Sequence, residues 1–434
     1  MRVFYYLELA LRSFRRNRVL TALMVLAIAL GIGTSMTTLT VLYILAGDPL
    51  PGKSDRTFYV QLDAEGKENY QPGGEPNVQL TRADAEALLR ARRADAQAMM
   101  TGGEGAIQPS EAGREPFHVD VRYTSADFFS MFDVPFARGA GWTEREDEAR
   151  ARVAVISKQL AEKLFAGSDA VGRTIRLDQH ELVVSGVLDA WRPTPHFYDL
   201  FTGAYEQAEQ VFLPFSTSRD LDLERMGNID CWGEQSMTPT ALVAPCAWIQ
   251  FWVQFEHRDQ AAAYRDFLVH YSEQQHESGR FVRPPNVRLR NVMEWLDEGK
   301  VVPSDVRLQT WLAFAFLAVC LLNTVGLLLA KFLRRSQEIG VRRALGASRR
   351  AIFVQFLVEA GSVGLVGGVL GLGLAWLGLW AVRQQPQDYA SLAALDPSML
   401  AVTFVLAVAS SCAAGLLPAW RAAHVTPALQ LKSQ

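Results

Sequence analysis

Cysteine is scarce in this chain. Four occur in 434 residues, Cys231, Cys246, Cys320 and Cys412, with no C-x-x-C among them. That excludes a zinc ribbon, a thioredoxin-type redox pair and a disulfide-dense scaffold. Histidine is nearly as rare: His118, His180, His196, His257, His270, His276 and His424 form no spaced ligand set and read as surface or internally satisfied side chains. No H-E-x-x-H and no G-x-S-x-G appears, so metalloprotease and hydrolase-elbow chemistry lack their residues.

Charge is missing from long stretches. Val19 to Leu45 carries none over 27 residues, more than the roughly 20 a helix needs to cross a bilayer core. A cleaved signal peptide has an apolar region of only about 7 to 15 residues, so a spanning helix is the better reading. Residues 308–330, 353–382 and 399–417 are three further spans, the second of them interrupted by one charge, Glu359. A carboxylate there is expensive in lipid, and the sequence suggests that Glu359 stays wet or pairs with Arg349 or Arg350 near the helix end.

Lys and Arg are retained in cytoplasmic loops, which orients the spans. Arg2, Arg12, Arg15, Arg16 and Arg18 precede the first; Lys331, Arg334, Arg335, Arg342, Arg343, Arg349 and Arg350 separate the second from the third; Arg421 and Lys432 follow the fourth. Only Glu8 and Glu338 oppose them, so both termini are read as cytoplasmic. The whole chain is −3; with Glu359 at −1 and the short loop of Arg383, Asp388 and Asp396 also at −1, the large loop between the first two spans carries −13. An acidic domain outside the cytoplasm does not attract nucleic acid; proteins, lipids or cationic molecules suit it better.

That loop is too long for a connector. The expected division is 1–47 for the terminus and first span, 48–305 for an inserted extracytoplasmic domain, and 306–434 for the remaining spans. Strand signals fall at 57–62, 117–123, 152–156, 174–177, 181–188, 211–213 and 249–255, and helix signals at 81–93, 125–132, 158–165 and 259–275. The fold class is therefore an α-helical integral membrane protein with four spans and a large inserted α+β domain in two lobes. Thr81 and Asp84 form a capping pair for the first of those helices. Trp191 to Pro245 is rich in Pro, Gly and aromatics and reads as irregular, a second lobe or a flap. Ser304 and Asp305 suit the N-cap of the helix that re-enters the membrane. Cys231 and Cys246 are either a disulfide across 15 positions or two free thiols. The abundant acidic residues read as solvated surface.

In the third span, Gly364, Gly367, Gly368 and Gly371 place small residues four apart. Such spacing lets another helix approach closely, either within the chain, the preferred reading, or across a dimer seam.

Gly47 to Ser54 satisfies G-x-x-x-x-G-K-[ST]. A working P-loop follows a strand and opens a helix; this one follows a span, carries Pro49 and Pro51, and leads into a strand signal. It is a chance match, and the chain itself is expected to bind no cofactor.

Glu338 to Leu345 forms a short amphipathic piece, Ile339, Val341, Ala344 and Leu345 against the arginines, ended by Gly346. It suits either anionic lipid or a knob docking on a cytoplasmic protein.

Asn323, residues 327–330 (LLLA) and Glu338-Ile339-Gly340-Val341-Arg342-Arg343-Ala344-Leu345-Gly346-Ala347 closely resemble the signature of FtsX-like permease domains in MacB-type ABC systems. Pro418 to Ala423, with Pro427, Ala428 and Leu429, is similar to that family's closing motif. Tyr123 to Phe129, Val153 to Ser157, Val171 to Ile175 and Val184 to Leu188 resemble the MacB-like extracytoplasmic core, in family order. The resemblance implies a multi-pass permease of the bacterial inner membrane with a periplasmic domain. It also implies a permease dimer, of identical or different subunits, and a separate cytoplasmic ATPase that uses ATP and docks on Glu338 to Gly346. No fused nucleotide-binding domain is expected. Export of an antimicrobial peptide, a macrolide-like or another amphipathic compound would follow, with a periplasmic adaptor and outer-membrane channel as further partners. The alternative is an FtsX-like mechanotransmitter that regulates an extracytoplasmic enzyme or sensor without transport.

Overall fold

The computed structural model describes residues 14, 18–68, 70–109, 113–233, 237–385, 389–393 and 397–423. Arg2, Glu8, Arg12, Arg15, Arg16, Asp388, Asp396, His424, Pro427, Ala428, Leu429 and Lys432 lie outside the described residues. In chain order the elements are α1 (Arg18–Leu45), β1 (Thr57–Leu62), β2 (Leu80–Thr81), α2 (Arg82–Ala91), β3 (Ala96–Gln108), β4 (Phe117–Thr124), α3 (Phe128–Met131), β5 (Phe136–Gly139), α4 (Glu144–Glu148), β6 (Val153–Ile156) and α5 (Lys158–Phe165). They continue with β7 (Thr174–Leu177), β8 (His180–Leu188), β9 (Val211–Pro214), α6 (Phe215–Asp220), β10 (Arg225–Met226), β11 (Asp230–Cys231), β12 (Cys246–Gln254), α7 (Gln260–Glu277), β13 (Val287–Asn291) and α8 (Val292–Glu298). The last are α9 (Ser304–Leu333), α10 (Ser336–Ala344), α11 (Arg349–Arg383) and α12 (Pro397–Ala423). Two compact units result, Gly47–Val301 and the remainder.

The Gly47–Val301 unit is built on a mixed sheet in the order β13-β1-β12-β3-β4-β9-β6-β8-β5. Its β4/β9 and β6/β8 pairs are parallel. β7 pairs with both β3 and β8, so β3, β4, β9, β6, β8 and β7 close a hydrogen-bonded circuit, with β12, β1 and β13 extending from it beyond β3. β1 (TFYVQL) is buried at every position, as a strand covered on both faces must be, whereas β7 alternates exposed and buried. Local chemistry starts the helices. Thr81 Oγ1 accepts from the Asp84 amide at 3.3 Å, and Asn291 with Glu294 forms a reciprocal capping box for α8.

Residues 191–198 pack into the core rather than forming a flap. The Trp191 and Tyr198 rings stack at 5.5 Å, Phe197 meets Trp252 edge-on at 5.5 Å, and Phe197 and Tyr198 are buried. The aromatics that made this stretch look irregular have no period because they fill a core from a loop. Cys231 and Cys246 lie opposite each other on β11 and β12 and are joined as a disulfide.

In the other unit, four helices among the described residues are long and apolar enough to cross a membrane: α1, α9, α11 and α12. α11 packs along two of the others through glycine. A Cβ at Gly364 would stand 2.3 Å from Ser411 Cβ, and one at Gly368 2.7 Å from Ala407 Cβ, both on α12. Gly367 and Gly371 face Ile28 and Ile32 of α1 at 2.8 and 3.1 Å. Both stripes therefore serve close packing inside the chain. Ser35 Oγ donates to the Ala313 carbonyl at 3.1 Å, and Ser411 Oγ to that of Ala360 at 2.6 Å. The expected cap of α9 differs: Pro303 holds the N-cap position and Ser304 is the first helical residue, with no side-chain cap bond.

Candidate coupling site

The P-loop look-alike provides no phosphate cradle. Lys53 Nζ is 2.5 Å from Asp133 Oδ1 and 2.7 Å from the Ser130 carbonyl, Ser54 Oγ bonds Asp48, and the segment runs as turns into β1 with no helix behind it.

The conspicuous polar centre of the Gly47–Val301 unit is internal. Arg122, on β4, is fully buried; Nη2 is 2.6 Å from Asp199 Oδ2, and the guanidinium also bonds Glu209. Tyr198 Oη donates to Glu209 Oε2 at 2.8 Å. Burial opposes charge on all three ions, but their mutual attraction wins. Asp199 and Glu209 are held below the usual carboxylate range, and Arg122 above its ordinary value. His196, 2 % exposed, has no hydrogen-bond partner on either ring nitrogen among the described residues. Burial pushes its imidazole down toward the neutral form, with Glu209 pulling the other way. These carboxylates are not surface, and this histidine is neither surface nor satisfied.

At the end of the helical unit away from the α1–β1 and α8–α9 connections, α9 continues through Lys331 to Leu333, and α10 follows after two residues. α10 ends as the sequence indicates. Gly346 adopts φ +97°, the Ala347 amide reaches the Arg342 carbonyl at 3.0 Å, and the Gly346 amide reaches that of Arg343 at 3.1 Å. This is a Schellman cap, open only to a residue tolerant of positive φ. Ser348 Oγ then caps α11 by accepting from the Ala351 amide at 3.2 Å.

The faces of α10 correct the sequence reading. Ile339 is 5 % exposed and packs into the core with Ile352, Phe356, Leu328 and Phe332, and Gly340 is buried beside it. Val341, Ala344 and Leu345 point outward, Leu345 at 82 % exposure. Arg342 is half-buried, bonded to Gln355 Oε1 at 3.2 Å and Glu338 Oε1 at 3.1 Å. So the apolar residues do not share one face. Ile339 anchors, Arg342 braces, and Val341, Ala344 and Leu345 form a small exposed knob.

Glu359 also differs from expectation. It is 2 % exposed, with Oε1 2.7 Å from Lys331 Nζ and Oε2 3.7 Å from Arg335 Nη1. Its partners are Lys331 and Arg335 rather than Arg349 and Arg350, which are nearer in sequence but both exposed. The available signal was that Lys331 follows the apolar run without a helix breaker, so the helix carries it inward.

The profile of the MacB-like periplasmic core domain matches residues 21–266, and that of the FtsX-like permease C-terminal region matches 311–427. The chain is 24% identical over 434 residues to a pyoverdine export ATP-binding/permease protein, PvdT, of Pseudomonas aeruginosa, covering 96% of this chain and 57% of that one. It is 26% identical over 432 residues to a macrolide export ATP-binding/permease protein, MacB, of Rhodospirillum rubrum, covering 99% and 60%. The chain thus spans about three-fifths of the length of the curated relatives it matches. Among solved structures, it is similar to the periplasmic region of MacB from Actinobacillus actinomycetemcomitans at 13% identity and a TM-score of 0.36, over 57% of this chain and 94% of that one. The extracellular domain of the noncanonic ABC-type transporter YknZ from Gram-positive bacteria gives 14% identity and a TM-score of 0.35, over 54% and 100%.

Proposed function

Because the chain belongs to the family of ABC transporter permeases that join a MacB-like periplasmic core domain to an FtsX-like permease domain, we propose that α10 is the element through which a cytoplasmic ABC-type ATPase drives it. The observation that carries this reading is the exposed knob of Val341, Ala344 and Leu345 on a helix braced by Arg342 and Ile339. An exposed leucine on a rigid, capped helix fits a complementary protein pocket better than it fits water.

Charge supports a cytoplasmic position. Arg334, Arg349 and Arg350 are exposed around the knob, as the positive-inside tendency requires. Exposed Tyr43, Trp311, Trp376 and Trp380 gather toward the opposite ends of α1, α9 and α11, where an aromatic belt would mark the outer interface.

The chain then acts with a second permease copy, identical or not. ATP is used by the partner ATPase. The motion serves export of an amphipathic compound, a peptide or macrolide-like molecule, with an adaptor and outer-membrane channel beyond. Support for the substrate class is the activity for which the relatives are named, macrolide and pyoverdine export.

The test is co-purification of an ATPase subunit with the detergent-solubilised chain. Leu345→Glu and Val341→Glu should each reduce recovery about tenfold while leaving the chain folded, because each places an unpaired charge in a desolvated contact. Unchanged recovery with both would overturn the docking assignment. Loss of the exported compound's efflux on deletion of the ATPase gene separates export from FtsX-like signalling. Intact efflux, together with capture of a cell-wall hydrolase by the chain, favours signalling.

A further inference from the structure

The Lys331–Glu359 ion pair stands where four segments meet. Glu359 lies ten residues into α11, about 15 Å along the helix at the usual rise, well past the exposed Arg349 and Arg350. Lys331 is 0 % exposed and Glu359 2 %, with Nζ and Oε1 2.7 Å apart. The same ammonium is 3.5 Å from Thr21 Oγ1 on α1 and 5.3 Å from the centroid of the Phe14 ring. The other carboxylate oxygen faces Arg335 at 3.7 Å, and α10 begins at the next residue. The Phe332 and Phe356 rings pack at 4.0 Å alongside.

A buried pair of this kind is costly to assemble, and well-packed apolar residues would hold three helices together as well or better. What ions add is register: a 2.7 Å contact is satisfied at one relative position of α9 and α11 and lost when they slide. The knob and the pair are joined rigidly, since Ile339 packs against Ile352 and Phe356 while Arg335 leads directly into α10. Displacement of α10 therefore reaches Arg335 first, Glu359 next, and through Lys331 the first span.

We propose that Lys331, Glu359 and Arg335 are the positioning residues that transmit movement of α10 to α1 and α11, distinct from the knob that docks the ATPase. This rests on the coupling reading of α10 above.

The experiment uses the full chain with the ATPase subunit that co-purifies with it, in nanodiscs. Hydrogen exchange of residues 47–301 is compared between the nucleotide-free complex and the complex trapped with Mg-ATP and vanadate. Glu359→Gln alone leaves a buried ammonium short of its counter-ion and can fail to fold, so the decisive variant is the apolar pair Lys331→Met with Glu359→Leu. Expected are wild-type membrane yield and ATPase recovery, with the nucleotide-dependent exchange difference reduced at least fivefold. A wild-type difference in that double variant would overturn the proposal and leave the pair as packing. If the double variant misfolds, Glu359→Asp, which keeps the charge but shortens its reach, decides the matter. Less than half of the wild-type response is expected, and a full response overturns the proposal. Failure of the wild-type chain to retain any ATPase is a different result, and it removes the coupling reading itself.

Discussion

Arg122 directs Nη2 at Asp199 Oδ2 at 2.6 Å across 77 positions of sequence, both side chains out of water. With Glu209 on the same guanidinium, two carboxylates share one cation, so the cluster carries a net negative charge when His196 is neutral. Removing the cation leaves two unpaired buried carboxylates. Arg122→Met should therefore destabilise the solubilised protein by about 3–5 kcal/mol in denaturant unfolding. Pairing it with Glu209→Gln should recover part of that loss. If the single variant costs under about 1 kcal/mol, the cluster is not as desolvated as its geometry indicates.

The same cluster gives a pH dependence with a definite sign. His196 has its pKa lowered first by burial; Glu209, Arg122, Asp199 and Glu206 act on it by charge, and the Tyr198 ring packs edge-on at 4.2 Å. Below its unfolded value of about 6.5, the unfolded chain takes up a proton that the folded one refuses. Stability is thus present at neutral pH and declines as pH falls, by at most about 1.4 kcal/mol per pH unit from this group. Asp199 and Glu209, held low, lose their contribution only at more acid pH, as they protonate in the fold. The hydrogen-exchange protection factors of residues 191–214, which take out the intrinsic slowing of exchange at lower pH, should fall between pH 7 and 5 in the wild type and much less in His196→Phe. Equal slopes would remove His196 as the origin.

Two glycines of α11 predict opposite outcomes for one substitution. A methyl at Gly364 meets Ser411 Cβ at 2.3 Å, whereas one at Gly373 meets nothing within 4 Å. Gly364→Ala should cost about 1–3 kcal/mol through overpacking, and Gly373→Ala should be near neutral. Unfolding in mixed micelles measures both. Similar values would show that the α11–α12 contact is looser than its geometry.

The Cys231–Cys246 bond closes a loop of sequence separation 15 at the C-terminal end of the Pro- and Gly-rich segment. On the chain-entropy account such a closure stabilises by about 3 kcal/mol. Cys231→Ser with Cys246→Ala should lower the denaturation midpoint by a matching amount, and reductant should do so only in the wild type. A midpoint unaffected by reductant would mean that the loop is held by packing alone, Cys246 and Trp248 being buried there in either case.

Much was legible from local pattern. Strand 174–177 and helix 158–165 appear where their side-chain periods put them, and Gly346 ends α10 because its φ of +97° suits few other residues. β3 was not legible. Its sequence, AQAMMTGGEGAIQ, is poor in β-branched residues, and it is a strand because β4 and β12 pair with it on both sides. Gly103 and Gly105 serve it by leaving room for the Tyr123 ring and Leu177, contacts set by other strands.

By itself the sequence determined the four spans, the basic end of the bundle, the capped helix between the second and third spans, and the acidity of the inserted domain. All of these depend on composition and spacing over a turn or a few, which a chain carries before it folds. Only the tertiary structure decided that Glu359 meets Lys331 rather than Arg349, that Arg342 turns inward while Leu345 turns out, and that Arg122 gathers Asp199 and Glu209 into the core. Those choices depend on the relative register of helices and strands, and a register of that kind exists only once the separate elements have packed.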